Sequence, residues 1–210
     1  MAVGDVTEPG RIVVVSGLAG AGTAEAALRN AVGGVLQGET VDWQLRTFDN
    51  PLYCQALDII SDIAARKSGL APTFDIALPG QRQQLVTDEI LKLDVTMPPA
   101  PSWLQVEYLQ SDGKVWHMIP STDEVARLFP ANAHATIGEP RKGWAGWGVS
   151  APYGRDMIIA VASAKPLFAT KRPQEEDGAT YLAALQSAIR AARNERLSAD
   201  ALVLDTVEKH

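Results

Sequence analysis

A glycine-rich segment near the beginning of the chain has residue types that could hold a phosphate group. The segment Gly17-Leu18-Ala19-Gly20-Ala21-Gly22-Thr23 follows a predicted strand and precedes a predicted helix, where backbone N–H groups can bind phosphate. Its candidate phosphate contacts are Gly17, Gly20, Gly22 and Thr23. The pattern lacks the lysine of nucleotide-hydrolase loops, and its glycines are not spaced as in dinucleotide-binding turns. We therefore expect a flexible turn with Thr23 as the helix N-cap, and keep nucleotide binding as an alternative.

The histidines and the cysteine form no metal-ligating or nucleophilic pattern. His117 lies in a predicted strand, His134 in a loop and His210 at the end of the sequence, and none stands at a metal-ligand spacing from a cysteine or carboxylate. We expect His117 to be half-buried on a sheet face. The single cysteine, Cys54, excludes an internal disulfide, and its helical pattern predicts a small buried side chain rather than a reactive thiol. The sequence thus predicts neither a metal nor a cofactor.

Two tryptophans stand close together in a glycine-rich segment. Trp144 and Trp147 are flanked by glycines, and exposed tryptophans in such a segment would suit a peptide or glycan contact. The alternative is that Trp147 begins a strand and packs into the core while Trp144 covers its edge. The nearby Tyr153 and Arg155 complete our set of candidate partner-binding residues.

Charged residues flank the last predicted helix. The acidic run Glu175–Asp177 precedes the helix, where negative charge is favourable because it opposes the helix dipole. Arg190, Arg193 and Arg196 lie towards its C-terminal end, where positive charge is favourable for the same reason. Three arginines at this spacing could also form a docking strip.

Composition excludes several classes of function. The chain has 210 residues, a net charge of −6 and 46% apolar residues, and a pI near 5.1, which argues against nucleic-acid binding because phosphate contacts need clustered Lys and Arg. Its longest apolar runs are far shorter than the roughly 18–20 residues that cross a bilayer. The first ten residues lack the basic and apolar regions of a secretory signal.

The first half of the chain alternates strands with helices. Ile12–Ser16 and Val41–Phe48 have strand patterns, and amphipathic helices are predicted from Thr23 and from Asn50, the second ending at Gly69. These elements predict a small β-α-β-α domain over residues 10–70. The stretch 71–88 is rich in proline and small residues and predicts a linker.

The second half contains short strands in quick succession. Apolar and polar residues alternate in Leu91–Val95 and Leu104–Tyr108, and Ser111–Lys114 predicts a hairpin turn into a strand at Val115–Ile119. We expect an antiparallel β-sandwich domain over 89–170. A C-terminal helix and a terminal strand, within 171–210, would pack on the preceding domains. The predicted fold class is therefore α+β.

Two blocks of the sequence, Ser111–Pro120 and Ala151–Ser163, stand out together with Pro166-Leu167-Phe168. They resemble an uncharacterised bacterial domain that is found C-terminal to caspase-like peptidase or serine/threonine kinase domains, and the resemblance covers roughly Leu91 to Phe168. It implies a β-sandwich accessory module with no active site to transfer, often on envelope-associated proteins. It also implies a periplasmic or envelope-associated location, with the cytoplasm as the alternative.

The combined observations favour a non-catalytic accessory module that binds a protein or peptide partner, within a larger bacterial signalling or envelope-associated protein. Two alternatives remain. One is a nucleotide-binding enzyme that uses residues 17–23, and the other is a self-assembling scaffold of a membrane-associated complex. In each case we expect no nucleic-acid partner and no transmembrane span in this chain.

Overall fold

The computed structural model describes residues 12–65 and 74–209 and has a mixed α/β fold. The chain divides into two compact units, Met1–Cys54 and Gln55–His210. The elements that begin in the first unit are β1 (Ile12–Gly20), α1 (Thr23–Val35), β2 (Thr40–Phe48) and α2 (Pro51–Ala65). In the described ranges, no helix is both long and apolar enough to cross a membrane.

The first unit is built on one parallel strand pair. β1 and β2 run side by side from Ile12↔Thr40 to Gly20↔Phe48, and α1 connects them. Parallel strands need such a crossover because the end of the first strand and the start of the second lie at opposite edges of the sheet. Val13 and Val15 of β1 and Val32 of α1 form a small buried cluster with Leu36.

The glycine-rich segment, expected to be a flexible turn, is a strand for most of its length. Residues Gly17–Gly20 belong to β1 and pair with Leu45–Phe48 of β2, so their backbone groups are engaged in the sheet. Parallel pairing along the full strand outweighs the local preference of glycine for turns. Only Ala21 and Gly22 remain for the turn, Gly22 with φ 69°. Thr23 is the first helical residue rather than the N-cap, and the helix has no side-chain cap.

The second helix confirms one prediction and corrects another. Asn50 caps α2 as predicted, since its Oδ1 accepts a hydrogen bond from Leu52 N at 3.0 Å. Cys54, however, is exposed rather than buried. The buried residues of α2 begin at Tyr53 and recur at Ala56, Ile59 and Ile63. Because successive helical residues are rotated by about 100°, Cys54 points away from this stripe.

The second unit is dominated by a seven-stranded sheet. The elements of this unit, in chain order, are β3 (Asp75–Ala77), β4 (Gln84–Val86), β5 (Ile90–Leu91), β6 (Leu93–Thr96), β7 (Ser102–Leu109), β8 (Lys114–Ile119), β9 (Leu128–Phe129), β10 (His134–Ile137), β11 (Trp147–Gly148), β12 (Gly154–Ser163), β13 (Glu175–Asp177), α3 (Gly178–Ala191) and β14 (Leu197–Val207). The strand order of the large sheet is β13-β8-β7-β12-β14-β4, with β9 paired to β7, and two smaller sheets have the orders β10-β6-β3 and β11-β5.

One apolar core is shared by the large sheet and the three-stranded sheet. Ile76, Val95 and Ile137 come from the three-stranded sheet and pack in the same cluster as Val106 and Ile158 of the large sheet. The central strand β12 is buried from Asp156 to Ser163 and pairs antiparallel with both β7 and β14. A strand with neighbours on both sides and covered on both faces reads as a continuous apolar run, as Met157–Ala162 does.

The stretch predicted as a linker, 71–88, is largely structured. Its first residues, 71–73, lie outside the described residues, but β3 pairs with β6 and β4 pairs in parallel with β14. Phe74, Leu78 and Leu85 are buried in the core of the second unit. Their apolar side chains outweigh the local turn signals of proline and glycine.

Two local predictions in the second unit are confirmed. Residues between β7 and β8 form the predicted hairpin turn, in which Gly113 has φ 90° and Gln110 N donates to the Lys114 carbonyl at 2.8 Å. Asp177 caps α3, since its Oδ1 accepts a hydrogen bond from Thr180 N at 2.8 Å. Helix α3 buries the stripe of apolar residues expected from its sequence, including Tyr181 and Leu185.

Candidate functional site

A groove of about 570 Å³ lies in the second unit, within the size range of ligand sites. We call it the aromatic groove because four aromatic side chains line it, together with charged residues of the hairpin turn and of β13. Its lining includes Tyr108, Asp112, Lys114, Trp116, His117, Asp123, Trp144, Trp147 and Glu175.

Trp144 and Trp147, predicted as a pair, pack against each other on one side of the groove. Their ring centroids are 5.3 Å apart in an edge-to-face arrangement. Trp147 begins β11, which pairs with β5. A Cβ at Gly138 would lie 2.6 Å from the Trp147 ring, so glycine is required there for the indole to pack. The alternative in which Trp147 begins a strand is therefore correct, and both indoles also line the groove.

Tyr108 and Trp116 come from the sheet itself. They are direct partners in the β7–β8 register. Trp116 is 38% exposed, although its Nε1 donates to Gln110 Oε1 at 2.8 Å. The Tyr108 hydroxyl donates to the buried Asp156 carboxylate at 2.6 Å, and this hydrogen bond fixes the ring. The sheet thus presents a large indole surface to solvent in a fixed position.

The charges of the groove are mainly negative. Asp112, Asp123 and Glu175 supply three carboxylates, and Lys114 supplies one ammonium group, which pairs with Glu175 at 2.5 Å. In the part of the chain that the structure describes, neither Asp112 nor Asp123 forms a contact ion pair. Two carboxylates are thereby left to attract a cation from outside.

One indole of the groove already binds a guanidinium group of the same chain. Arg141 lies over the Trp144 ring at 4.3 Å from its centroid and forms an ion pair with Glu124 at 2.9 Å. It also donates to the Asp123 carbonyl. Tryptophan faces attract cations through the ring quadrupole, and here this arrangement holds the loop before β11 against residues 123–124.

A chain of ionic side chains lies behind the groove, and we call it the ionic chain: Glu107 and His117, which are buried, and Glu176 and Arg172, which are partly buried. His117 Nδ1 is 2.5 Å from Glu107 Oε2, and its Nε2 is 2.7 Å from Glu176 Oε1. Arg172 then makes two contacts of 2.5 Å with the Glu176 carboxylate. The imidazole is 3% exposed, so the prediction of a half-buried His117 is corrected.

The ionic chain shifts the pKa values of its members. Burial alone would lower the pKa of His117, but the two carboxylates outweigh it and raise that pKa above its ordinary value. Burial raises the pKa of Glu107, although His117, Gln105 and Tyr181 offset part of the effect. The Arg172 guanidinium lowers the pKa of Glu176. The two carboxyl groups thus favour the protonated form of His117.

The second carboxylate oxygen of Glu107, Oε1, accepts hydrogen bonds from neutral donors. Gln105 Nε2 donates to Glu107 Oε1 at 2.8 Å, and the Tyr181 hydroxyl donates to the same oxygen at 2.9 Å. The Tyr181 ring also meets the His117 ring edge-to-face, with centroids 5.0 Å apart. Both nitrogens of His117 and both oxygens of Glu107 thus face groups of the protein's own interior.

The remaining predicted site residues lie elsewhere. Thr87 Oγ1 donates to the Tyr153 hydroxyl at 2.9 Å, and Arg155 pairs with Asp205 on the neighbouring strand at 2.8 Å. Neither side chain lines the groove. Gly17, Gly20, Gly22 and Thr23 all belong to the first unit.

Sequence reasoning missed the ionic chain. Gln105 and Glu107 alternate with apolar residues of β7, a pattern that normally indicates a solvent-facing side. Helix α3 supplies Tyr181 to that face and makes it interior. A glutamate and a glutamine two residues apart, opposite a histidine on the next strand, would have been the available signal.

No protein-family model, curated protein or solved structure matches this chain. Among the described side chains, no group of three or more His, Cys, Asp and Glu residues could hold a metal ion. The proposed function therefore depends on the geometry of the groove and of the ionic chain.

Proposed function

We propose that this protein is a binding module whose aromatic groove holds a protein or peptide segment through a lysine or arginine side chain. The observation that carries the proposal is the placement of two unpaired carboxylates, Asp112 and Asp123, beside four aromatic rings. Aromatic faces and carboxylates together stabilise a cation better than either does alone.

The contact between Arg141 and Trp144 supports this choice of side chain. A guanidinium group lies 4.3 Å from that ring in the protein itself, so the local geometry accommodates a planar cation. Trp116 offers a second, more exposed indole from the sheet. Large aromatic side chains of this kind commonly dominate the binding energy of interfaces.

The condition of His117 supports binding rather than catalysis. A general base needs a ring nitrogen within reach of a substrate proton. Here both nitrogens lie against carboxylates and the ring is almost fully buried. We propose that the ionic chain fastens β13 and the segment before it to the sheet, and so shapes one side of the groove.

The proposal includes the finer architecture of the second unit. We propose a β-sandwich in which the three-stranded sheet covers one face of the seven-stranded sheet. The shared apolar core supports it, because residues of both sheets pack in one cluster. An accessory role in a larger bacterial protein, implied by the resemblance, stays a prediction.

Selection from a random peptide library displayed on phage tests the proposed function. We expect enrichment of peptides with lysine or arginine beside apolar residues. Trp116→Ala should weaken the selected peptides by about 2 kcal/mol, roughly 30-fold, because the exposed indole contributes much of the contact. Binding is measured by calorimetry with the purified chain.

A matched control replaces a tryptophan that does not line the groove. Trp43 of β2 lies 4.8 Å from Arg29 but belongs to the first unit, so Trp43→Ala should leave peptide affinity unchanged. Selected peptides that lack basic residues, or that bind Trp116→Ala as well as the unaltered protein, would refute the proposal.

A further inference from the structure

A second cavity, which we call the basic pocket, lies in the second unit and has a volume of about 450 Å³. The start of β7, the segment after β8 and the stretch from Pro166 to Arg172 surround it. Its lining includes Trp103, Val125, Ala126, Phe168, Lys171 and Arg172.

The walls of the basic pocket are largely apolar. Trp103 and Phe168 supply aromatic surface, and Val125 adds an aliphatic side chain that is 64% exposed. Leu128, three residues further along, is also 53% exposed. An apolar ligand part would therefore remove hydrophobic surface from water on binding.

The charges of the basic pocket are opposite to those of the groove. Its lining contains Lys171 and Arg172 but no aspartate or glutamate. Arg172 is committed to Glu176, so its charge is matched. Lys171 donates to the Thr122 hydroxyl at 3.3 Å and has no carboxylate partner in the described ranges. One positive charge is consequently available beside an apolar cavity.

We propose that the basic pocket binds the anion of a medium-chain fatty acid, with its carboxylate at Lys171 and its tail along Trp103 and Phe168. A single unmatched ammonium group selects a ligand with one negative charge. The apolar walls favour a hydrocarbon tail, and the volume falls in the range of small-molecule sites, about 300–1,000 Å³. This inference is independent of the proposed function, since it uses other residues and another ligand.

Calorimetry with dodecanoate, below the concentration at which it forms micelles, tests the inference with the full chain. We expect one site, with octanoate weaker and butanoate weaker still. Ala126→Trp places a large ring in the cavity from an exposed position and should reduce dodecanoate affinity at least about tenfold. Lys171→Gln should reduce it about threefold to tenfold and remove the preference for dodecanoate over dodecanol.

Matched controls distinguish the pocket from general adsorption. Ala183→Trp adds the same ring to an exposed position of α3, and Lys165→Gln removes an exposed ammonium group that pairs with Glu195. Both should leave affinity unchanged, and circular dichroism should show every variant folded. The inference is overturned by absent binding at millimolar dodecanoate, by unchanged binding in Ala126→Trp, or by equal affinity for dodecyltrimethylammonium. Tighter binding of a hydrophobic peptide with a free C-terminus would overturn it as well.

Discussion

The aromatic groove and the basic pocket both border His117, yet they differ in charge and in the source of their side chains. The hairpin turn and β13 bring carboxylates to the groove, whereas the segment before β13 brings cations to the pocket. The shared wall is a rigid, buried part of the sheet. Comparing the two shows that the sheet sets the position of each cavity, while the surrounding connections set its chemistry.

The largest expected effect tests whether the two sites depend on their shared wall. Glu107→Ala removes one partner of buried His117 and leaves the Tyr181 hydroxyl without its acceptor, while Gln105 Nε2 keeps only the Tyr181 hydroxyl to donate to. Breaking a buried ion pair costs about 3–5 kcal/mol, so urea denaturation should show a loss of that size. Both the basic peptide and dodecanoate should bind more weakly.

A surface variant is the control for this experiment. Glu139 is 62% exposed and pairs with Lys92 at 3.5 Å. Glu139→Ala should change the free energy of unfolding by less than about 1 kcal/mol. If Glu107→Ala were equally mild, the ionic chain could not be what holds the two cavities in place.

The second prediction separates the shared ionic chain from a half-buried carboxylate that borders neither cavity. Burial raises the pKa of Asp200 to about 6, from an ordinary value of 3.8. A raised acid pKa stabilises the folded protein below the ordinary value, and this contribution is lost as the pH rises through 6. Relative to Asp200→Asn, the unaltered protein should therefore lose at most about 3 kcal/mol between pH 4 and pH 7.

Urea titrations of both proteins at several pH values measure this difference. Asn can still accept the hydrogen bond that Ile76 N donates to Asp200 at 2.9 Å, so the substitution isolates the charge. Affinity at the groove and at the pocket should be the same in both proteins at pH 7. A stability difference that stays constant from pH 4 to pH 7 would contradict the assignment.

The third prediction sharpens the contrast in charge. Replacing both Asp112 and Asp123 by asparagine should weaken the selected basic peptides about threefold to tenfold, because it removes the two unpaired carboxylates. Dodecanoate affinity should not change. The peptide affinity of the double variant should also depend less on salt, which screens exposed charges. Parallel losses for both ligands would mean that the two cavities do not have separate chemistry.

The smallest effect is expected at Arg155, which the sequence placed among the binding residues. Its partner is Asp205 on β14, and its side chain is 44% exposed. Arg155→Ala should change stability by less than about 1 kcal/mol, and neither ligand should bind differently. Loss of peptide binding in this variant would move the binding surface away from the groove.

The sequence predicted those features that depend on neighbouring residues. The Ser111–Lys114 turn, the Asn50 cap and the pairing of Trp144 with Trp147 all follow from short-range patterns. The prediction of a flexible turn in the glycine-rich segment was wrong because a partner strand, β2, keeps Gly17–Gly20 extended. Strand pairing outweighs a local preference for turns when it supplies hydrogen-bond partners for the backbone N–H and C=O groups of the segment.

The candidate site was predictable only in part. Trp144 and Trp147 were identified, but the approach of Asp112 and Asp123 depends on loops that the sheet brings together. The alternation in β7 correctly gave two faces, yet it could not show that α3 covers the face bearing Glu107. Sequence periodicity reports which side chains share a face, while only the tertiary structure shows what that face meets.

The order of strands in the large sheet has a consequence for biosynthesis. β14 lies between β12 and β4 although it is the last of the three to leave the ribosome. Until Leu197–Val207 has emerged, the nascent chain exposes one unpaired edge of β12, and β4 has no strand to pair with because Thr206, the partner of Leu85, is still missing. Open apolar edges of this kind attract other chains, so the moments before β14 is added are when a chaperone would matter most.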